Sequence, residues 1–256
     1  MRNVLAIAQK ELKSYFASPI AYIVIGLFAL FFGYFYAVYL QVFLRDSMSM
    51  GQMGMNQQAM NVNQQMLRPV LQNVTVLLLF VLPAITMRSY AEERRSGTIE
   101  LLLTSPVSDA EIILGKFFGA LGLYLAMLAV TLLYIGILFV YGNPEWRPLV
   151  AAYLGLLLMG GAFLSIGLLI SSTTSNQIVA GVVTFVVFLM LWIIGWFADS
   201  AGPTIGPITS YLSITEHFED FSKGIIDSKH VIYYLSLITF GLFLTSKSVD
   251  TERWRG

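Results

Sequence analysis

Six long apolar stretches constrain this chain more than any other feature of its sequence. An α-helix needs about 20 apolar residues to cross the hydrocarbon core of a bilayer, and each stretch approaches or exceeds that length. The stretches are residues 20–44, 70–87, 112–141, 148–170, 177–197 and 231–246. Because backbone polar groups in lipid must find partners within their own segment, such stretches predict helices. The sequence therefore predicts an all-α polytopic membrane protein with six transmembrane helices, forming one transmembrane domain over residues 1–256.

The composition excludes several other classes of protein. Hydrophobic residues make up 57% of the chain and charged residues only 12%, against about 25% charged residues in an average soluble domain. The formal net charge is zero. These values exclude a soluble globular enzyme, a disordered chain and a basic nucleic-acid binder. The chain has no cysteine and two histidines, which excludes a disulfide framework or a thiolate metal site and leaves little for a histidine metal site.

The lysines and arginines outside the centres of the apolar stretches predict the orientation. Six spans place both termini on the same side of the membrane. That side holds ten of the basic residues, and the opposite side holds five. Since loops rich in Lys and Arg stay in the cytoplasm, we expect both termini to be cytoplasmic.

Residues 1–19 are amphipathic. Apolar residues recur near helical spacing from Val4 to Phe16, whereas Lys10 and Lys13 lie on another face. The proline at Pro19 disfavours helical backbone at Ser18, so the helix should end there. This pattern predicts a helix in the inner membrane interface that leads into the first span. An ordinary cytoplasmic lead-in is the alternative.

The segment 45–69, between the first two spans, is rich in methionine. Thioethers are soft ligands that suit copper(I), which makes a metal site one interpretation. The other is a flexible or weakly helical outer loop that uses unbranched apolar residues. Neither histidine nor cysteine occurs in this segment, so we expect no metal site. The methionines are Met48, Met50, Met53, Met55, Met60 and Met66.

The most charged part of the chain is the segment 88–111, between the second and third spans. Thr98 is a plausible N-cap for a short helix over residues 99–103, which ends before Pro106. Ser108 and Glu111 form a capping-box pattern that opens the third span, and Lys116 should snorkel from that span to the interface. A short helix alone is marginal in water, and its leucines need cover. We therefore expect it to dock on a partner; a solvated loop is the alternative.

The segment 198–229 should lie outside the cytoplasm. Its Gly202-Pro203 and Gly206-Pro207 pairs predict a broken stretch. A short amphipathic helix should follow from Ser213, which with Glu216 matches a capping box. Its apolar face would consist of Ile214, Phe218, Phe221 and Ile225.

Small residues recur inside two of the spans. This pattern is typical of helices that pack closely in lipid, and a dimer contact is the less favoured interpretation. The residues are Gly115, Gly119 and Gly122 in the third span and Gly160, Gly161, Ser165 and Gly167 in the fourth.

No catalytic residue is predicted. Asp, Glu and His are absent from the span centres, and the chain has no phosphate-binding loop with Lys and Ser/Thr. It therefore should not hydrolyse ATP through a P-loop of its own. The strongest acidic cluster with a histidine surrounds His217, which we expect to be a surface histidine. That cluster comprises Glu216, His217, Glu219 and Asp220.

Residues 92–116 resemble the permease subunits of ABC-2-type transporters. The resemblance rests on the Glu-Glu-Arg-Arg-Ser-Gly-Thr-Ile-Glu-Leu-Leu run from Glu92, on Ser105-Pro106 and on Gly115-Lys116. The opening of the chain and its six spans are similar to the same family. Within it, the residues 211–227 look closest to gliding-motility-type (GldF-like) permeases.

This resemblance implies a division of labour in a bacterial inner membrane. A separate ABC ATPase subunit would bind ATP-Mg, a second permease copy would complete the pair, and an accessory protein with an extracytoplasmic domain would accompany them. This chain itself would hold no cofactor and would not be an enzyme. Its role would be to couple ATP hydrolysis to export or to conformational work. A membrane scaffold and a polytopic membrane enzyme remain the alternatives.

The family's coupling helix, which docks into the ATPase, corresponds to residues 98–103 of this chain. The resemblance implies that the charged residues before it lie on the approach to the same interface. The implied coupling residues are Glu92, Glu93, Arg94, Arg95, Gly97, Thr98, Ile99, Glu100, Leu101 and Leu102.

Overall fold

A computed structural model describes residues 2–52, 61–98, 107–197 and 202–253. Helices, with turns between them, account for these residues, and no strand occurs in the described ranges. A π-helical turn over Asn63–Leu67 precedes α3, and a 3-10 turn over Ile194–Phe197 follows α7. The α-helices are α1 (Arg2–Ala17), α2 (Pro19–Gln52), α3 (Arg68–Thr86), α4 (Ala91–Ser96), α5 (Asp109–Tyr141), α6 (Trp146–Thr173), α7 (Gln177–Ile193), α8 (Gly202–Leu212), α9 (Ile214–Ser222) and α10 (Ser228–Arg253).

Six of the helical segments are long and apolar enough to cross a membrane, which confirms the all-α polytopic class. They contain α2, α3, α5, α6, α7 and α10. Several of these helices continue past the apolar stretches of the sequence. The last runs over Ser228–Arg253 rather than 231–246, because polar residues extend a helix readily once the apolar part has formed it.

Hydrogen bonds between sequentially distant segments define two ends of the bundle. At one end, Asn63 and Glu145 exchange two bonds, from Asn63 Nδ2 to the Glu145 carbonyl (2.7 Å) and from the Glu145 N–H to Asn63 Oδ1 (2.9 Å). Arg68 reaches Glu219 of α9 at the same end. At the other end, Asn3 Nδ2 lies 3.2 Å from both carboxylate oxygens of Glu111. We call these the α9 end and the α4 end.

Helix α6 forms the centre of the core. Leu156, Met159, Phe163 and Leu168 have no exposed surface. Its glycines admit neighbouring helices closely, since a Cβ on Gly160 would lie 2.1 Å from the Tyr124 ring of α5. The small residues of the fourth span therefore serve packing within one chain.

The glycines of the third span face α1 rather than another span. A Cβ on Gly115 would lie 2.6 Å from Ile7, and one on Gly119 would lie 2.6 Å from the Glu11 Cβ. Close helix packing was predicted at these positions, but its partner was not. The amphipathic α1 lies along α5 and ends at Ala17, and Ser18 separates it from α2, which begins at Pro19.

The segment after α7 corrects one prediction. Gly202-Pro203 and Gly206-Pro207 do not break the chain, because both lie in α8. Pro203 stands in the first turn, where its missing N–H is not needed, and Gly202 has a φ of +76° that glycine tolerates.

The amphipathic helix α9 forms where the sequence predicts it. The Ser213 hydroxyl accepts a hydrogen bond from the Glu216 N–H (3.4 Å) and caps the helix. Ile214, Phe218 and Phe221 are buried. Ile225 was wrongly placed on the same face: it follows the end of α9 and is 53% exposed.

The methionine-rich segment divides between elements. Helix α2 carries Met48 in an exposed position, whereas Met66 is fully buried in the π-helical turn and belongs to the core. Met53, Met55 and Met60 lie outside the described residues. Within the described ranges, no group of three or more His, Asp or Glu side chains is placed to hold a metal ion.

Candidate functional site

The charged residues before Gly97 form a helix of their own. Helix α4 has Glu92 and Glu93 in its first turn and Arg94 and Arg95 in its last, which is the favourable arrangement for the helix dipole. Gly97 ends the helix with a φ of +72°, a conformation that side chains with a Cβ rarely adopt. The sequence placed these four residues on the approach to a helix and did not predict α4 itself.

The start of α4 is anchored to the end of the fourth span. The Ser171 hydroxyl of α6 accepts hydrogen bonds from the backbone N–H groups of Tyr90 (3.1 Å) and Ala91 (3.2 Å). It also donates to the Met87 carbonyl (3.3 Å). One buried hydroxyl therefore satisfies backbone groups that the first turn of a helix leaves open.

A buried lysine joins α4 to two other helices. Lys116 of α5 has a side chain only 2% exposed. Its ammonium group lies 2.7 Å from Glu93 Oε1, 3.1 Å from Glu11 Oε1 of α1 and 2.8 Å from the Ser89 carbonyl. The three donors of the ammonium thus have three oxygen partners. We call Lys116, Glu11 and Glu93 the charge cluster.

The charge cluster overturns the expectation that Lys116 reaches the interface. Its side chain instead points at two carboxylates and lies 5.0 Å from the centre of the Tyr90 ring. An ammonium group buried without partners would be strongly destabilising, so both carboxylates are needed where they are. Glu11 and Glu93 are 14% and 18% exposed, which keeps water from replacing them easily.

A second contact ties α1 to the end of α3. The Tyr15 hydroxyl donates to the Ile85 carbonyl (3.4 Å) and lies 3.5 Å from the Ser89 hydroxyl. Burial raises the pKa of Tyr15 to about 12, so its phenol stays neutral and keeps its donor at physiological pH. Helices α1, α4 and α5 are therefore connected through polar contacts that share Ser89.

A cavity of about 410 Å³ lies beside the charge cluster. Its walls come from α1, the start of α2, the end of α3, α4 and α5, and include Glu11, Tyr15, Arg88 and Glu93.

The structure divides the predicted coupling residues into two groups. Glu93 faces inward into the charge cluster, whereas Glu92, Arg95 and Thr98 are exposed to solvent. Thr98 lies near the C-terminal end of α4, with its hydroxyl 2.9 Å from that of Ser96. Ile99, Glu100, Leu101 and Leu102 lie outside the described residues, as does the predicted short helix over 99–103.

Sequence reasoning missed two members of this site. Glu11 was not considered, and Lys116 was assigned to the interface. A signal for Lys116 was present, because a lysine within an apolar span needs a counter-charge. Nothing in the local sequence indicates that Glu11, more than 100 residues away, supplies it.

The histidine at the other end is also not where the sequence suggested. His217 is 4% exposed rather than on the surface, and its Nδ1 lies 2.6 Å from Nδ1 of His230. His230 in turn contacts Asp220. Glu219 instead pairs with Arg68 (3.1 Å) and Lys223 (2.9 Å).

The chain is similar to known transporter proteins. Residues 5–246 match the model of the family described as "ABC-2 family transporter protein". Over 143 residues, the chain is 30% identical to the protein named probable multidrug ABC transporter permease YbhR of Escherichia coli K12, and equally to that of Escherichia coli O157:H7. The matched region covers 55% of this chain and 38% of each relative. The chain thus aligns with less than half the length of these curated relatives.

Replacing Lys116 by methionine tests the charge cluster. Lys116→Met keeps the bulk of the side chain but leaves two carboxylates together without their cation. We expect a loss of about 3–5 kcal/mol in the free energy of unfolding, measured by equilibrium unfolding in detergent micelles. Lys13→Met, at an exposed position of α1, is the matched control and should change it by about 0.5 kcal/mol or less.

A triple variant separates charge from packing. Lys116→Met with Glu11→Gln and Glu93→Gln removes all three charges, so most of the lost stability should return. If Lys116→Met alone is as stable as the wild type, the charge cluster does not hold these helices together.

Proposed function

The chain belongs to the ABC-2 family of transporter proteins, and we propose that it is the membrane-spanning permease subunit of an ABC transporter. The observation that carries this proposal is that one side of α4 binds the other helices and the opposite side is exposed to solvent. Its inner side is tied to α1 and α5 through the charge cluster, while Glu92 and Arg95 remain exposed. A helix of this kind can receive force from a bound partner and pass it to the spans.

We propose that the partner is an ABC ATPase subunit that binds ATP-Mg. It would dock on the exposed side of α4 and on the segment that follows, which includes Thr98, Ile99, Glu100, Leu101 and Leu102. Alternating charges at the exposed positions suit a polar, reversible interface, where complementary charges set register and association rate. This chain would supply no catalytic residue and no cofactor.

The proposed mechanism is an ATP-biased shift between two packings of the spans. When ATP closes the ATPase pair, the docked α4 moves, and the charge cluster carries α1 and α5 with it. Such a transition needs a rigid unit that moves as one and a neighbour that yields.

Further partners follow from the family and remain proposals. A second permease copy would complete the membrane channel or the unit that transmits conformational work, and a homodimer is the simplest case. We also propose the gliding-motility-type subgroup, which rests on residues 211–227 and brings an accessory protein with an extracytoplasmic domain. Because the similar Escherichia coli protein is named as a probable multidrug permease, small organic molecules are the first substrates to examine.

We propose a bacterial inner membrane location with both termini in the cytoplasm. The absence of cysteine from the chain allows a direct test with single substitutions at two exposed positions. Arg147→Cys, at the α9 end, should react with a membrane-impermeant maleimide in intact cells. Arg95→Cys, at the α4 end, should react only after permeabilisation. The reverse labelling pattern would show that the orientation is inverted.

Charge reversal on the exposed side of α4 tests the docking proposal. Wild-type protein purified from its native membrane in mild detergent should carry a P-loop ATPase and hydrolyse ATP. Arg95→Glu should lower the recovered activity about tenfold or more, equivalent to about 1.4 kcal/mol of lost binding. Arg147→Glu makes the same charge change at the opposite end and should leave the activity unchanged.

Three other results would count against the proposal. A wild-type eluate without any ATPase would favour the scaffold or the membrane enzyme. Equal activity in Arg95→Glu and the wild type would place the docking surface elsewhere. An ATPase that binds but causes no ATP-dependent change in the spans would identify a scaffold.

A further inference from the structure

Two histidines at the α9 end form a continuous hydrogen-bonded chain with one carboxylate. Nε2 of His217 lies 2.9 Å from the Tyr211 carbonyl oxygen. Nδ1 of His217 lies 2.6 Å from Nδ1 of His230. Nε2 of His230 lies 2.9 Å from Oδ2 of Asp220. Both imidazoles are buried, with 4% and 5% of their surface exposed.

The partners of these four ring nitrogens fix the number of protons. The Tyr211 carbonyl and the Asp220 carboxylate only accept hydrogen bonds, so both Nε2 atoms must carry a proton. The bond between the two Nδ1 atoms requires one further proton. The two rings thus share three protons, one more than two neutral imidazoles possess.

We propose that His217, His230 and Asp220 form a buried proton-binding site whose occupancy holds α8 and α9 against the last span. The bound proton gives the histidine pair one positive charge beside the Asp220 carboxylate. Asp220 and the imidazolium then form a charge-assisted hydrogen bond, which is stronger than a neutral one. No metal or substrate needs to bind for this site to be complete.

The surroundings of the pair favour a neutral His217 and an ionised Asp220. Burial lowers the pKa of His217, which disfavours a charge on that ring. The His217 ring also stacks on Tyr233, with centres 3.7 Å apart and planes inclined by 14°. The hydrogen bond from His230 lowers the pKa of Asp220, which keeps the carboxylate ionised beside the proton.

Several other charges near the site form ion pairs. Lys223 lies 2.9 Å from Glu219, which also accepts from Arg68 of α3. Lys229 lies 3.7 Å from Asp227. Glu216 stands one turn before Asp220 on α9, and Arg147 of α6 lies over Trp146. Lys223 also approaches Asp220 at 3.5 Å, on the carboxylate oxygen that does not face His230.

The bound proton can hold helices together because the hydrogen-bonded groups belong to three of them. Tyr211 belongs to α8, His217 and Asp220 to α9, and His230 to α10. Two tyrosines of α10 reinforce the contact, since Tyr233 donates to the Leu212 carbonyl (2.9 Å) and Tyr234 to the Ile214 carbonyl (2.7 Å). We call residues 202–222 the cap.

The expected pH dependence has two sides. When the cap is docked, the histidine pair retains a proton that the same side chains lose, once separated, as the pH rises. Alkaline conditions should therefore release the cap from α10. At low pH, a fourth proton on the two rings would protonate both Nδ1 atoms. The two Nδ1–H groups would then face each other. The lowered pKa of His217 opposes that step, so the docked cap should persist until the pH falls below the ordinary histidine range, near 6.5.

The two histidines are the only ones in the chain, which makes the proton count directly measurable. The full-length protein, labelled with nitrogen-15 in histidine and placed in lipid nanodiscs, should show one unprotonated ring nitrogen at neutral pH. Two unprotonated nitrogens would mean two neutral rings and would overturn the proposal. No unprotonated nitrogen would mean two charged rings and would also overturn the proposal.

Replacing Asp220 by asparagine separates proton binding from structure. The Asp220→Asn amide can donate to Nε2 of a neutral His230, so the count should change to two unprotonated nitrogens while the cap stays docked. The hydrogen-exchange protection factors of residues 202–222, which are corrected for the base-catalysed intrinsic rate, should then no longer depend on pH between neutral and alkaline conditions. Asp46→Asn, with the same chemical change at an exposed position of α2, should keep the wild-type count and pH dependence. A pH-independent cap in the wild type would contradict the proposal.

Discussion

The ion contacts of Lys116 determine how the α4 end of this protein is assembled. Helix α1 buries none of its residues completely, and α4 has six residues, too few to be stable alone. The glycines of α5 let α1 approach, but a charge on Lys116 in that contact requires both Glu11 and Glu93. The position of α4, and so of the surface proposed to meet an ATPase, therefore depends on one buried cation together with the hydrogen bonds of Ser171.

The α9 end follows the same physical pattern with different chemistry. Short helices again lie against spans through close glycine contacts, such as Gly155 with Phe221, where a Cβ would lie 2.6 Å away. An ionised group again joins them, here the protonated histidine pair. The core between the ends is apolar and closely packed around α6. Both ends thus consist of small elements whose attachment depends on charge, whereas the spans depend on packing.

The sequence predicts the parts of this fold that depend on local patterns. Apolar length predicts the six spans, and the Ser108 capping box appears at the start of α5 as expected. The sequence does not predict the contacts between residues that lie far apart along the chain. Glu11 and Lys116 meet only because α1 lies along the glycines of α5, and His217 meets His230 only after a turn at Gly224, which has a φ of +88°.

The proposed mechanism requires α1 and α4 to move as one body, whereas the hydrogen bonds between Ser171 and the start of α4 break and the end of α6 moves relative to α4. Spin labels at Arg95→Cys and Lys13→Cys report the first distance, and labels at Arg95→Cys and Ser175→Cys report the second. Double electron–electron resonance on the ATPase complex, without nucleotide and with ATP trapped by vanadate, compares the two states. If α1 and α4 move together, the distance between Arg95 and Lys13 stays unchanged and the distance between Arg95 and Ser175 changes. A change between Arg95 and Lys13 on ATP binding would contradict the proposed mechanism.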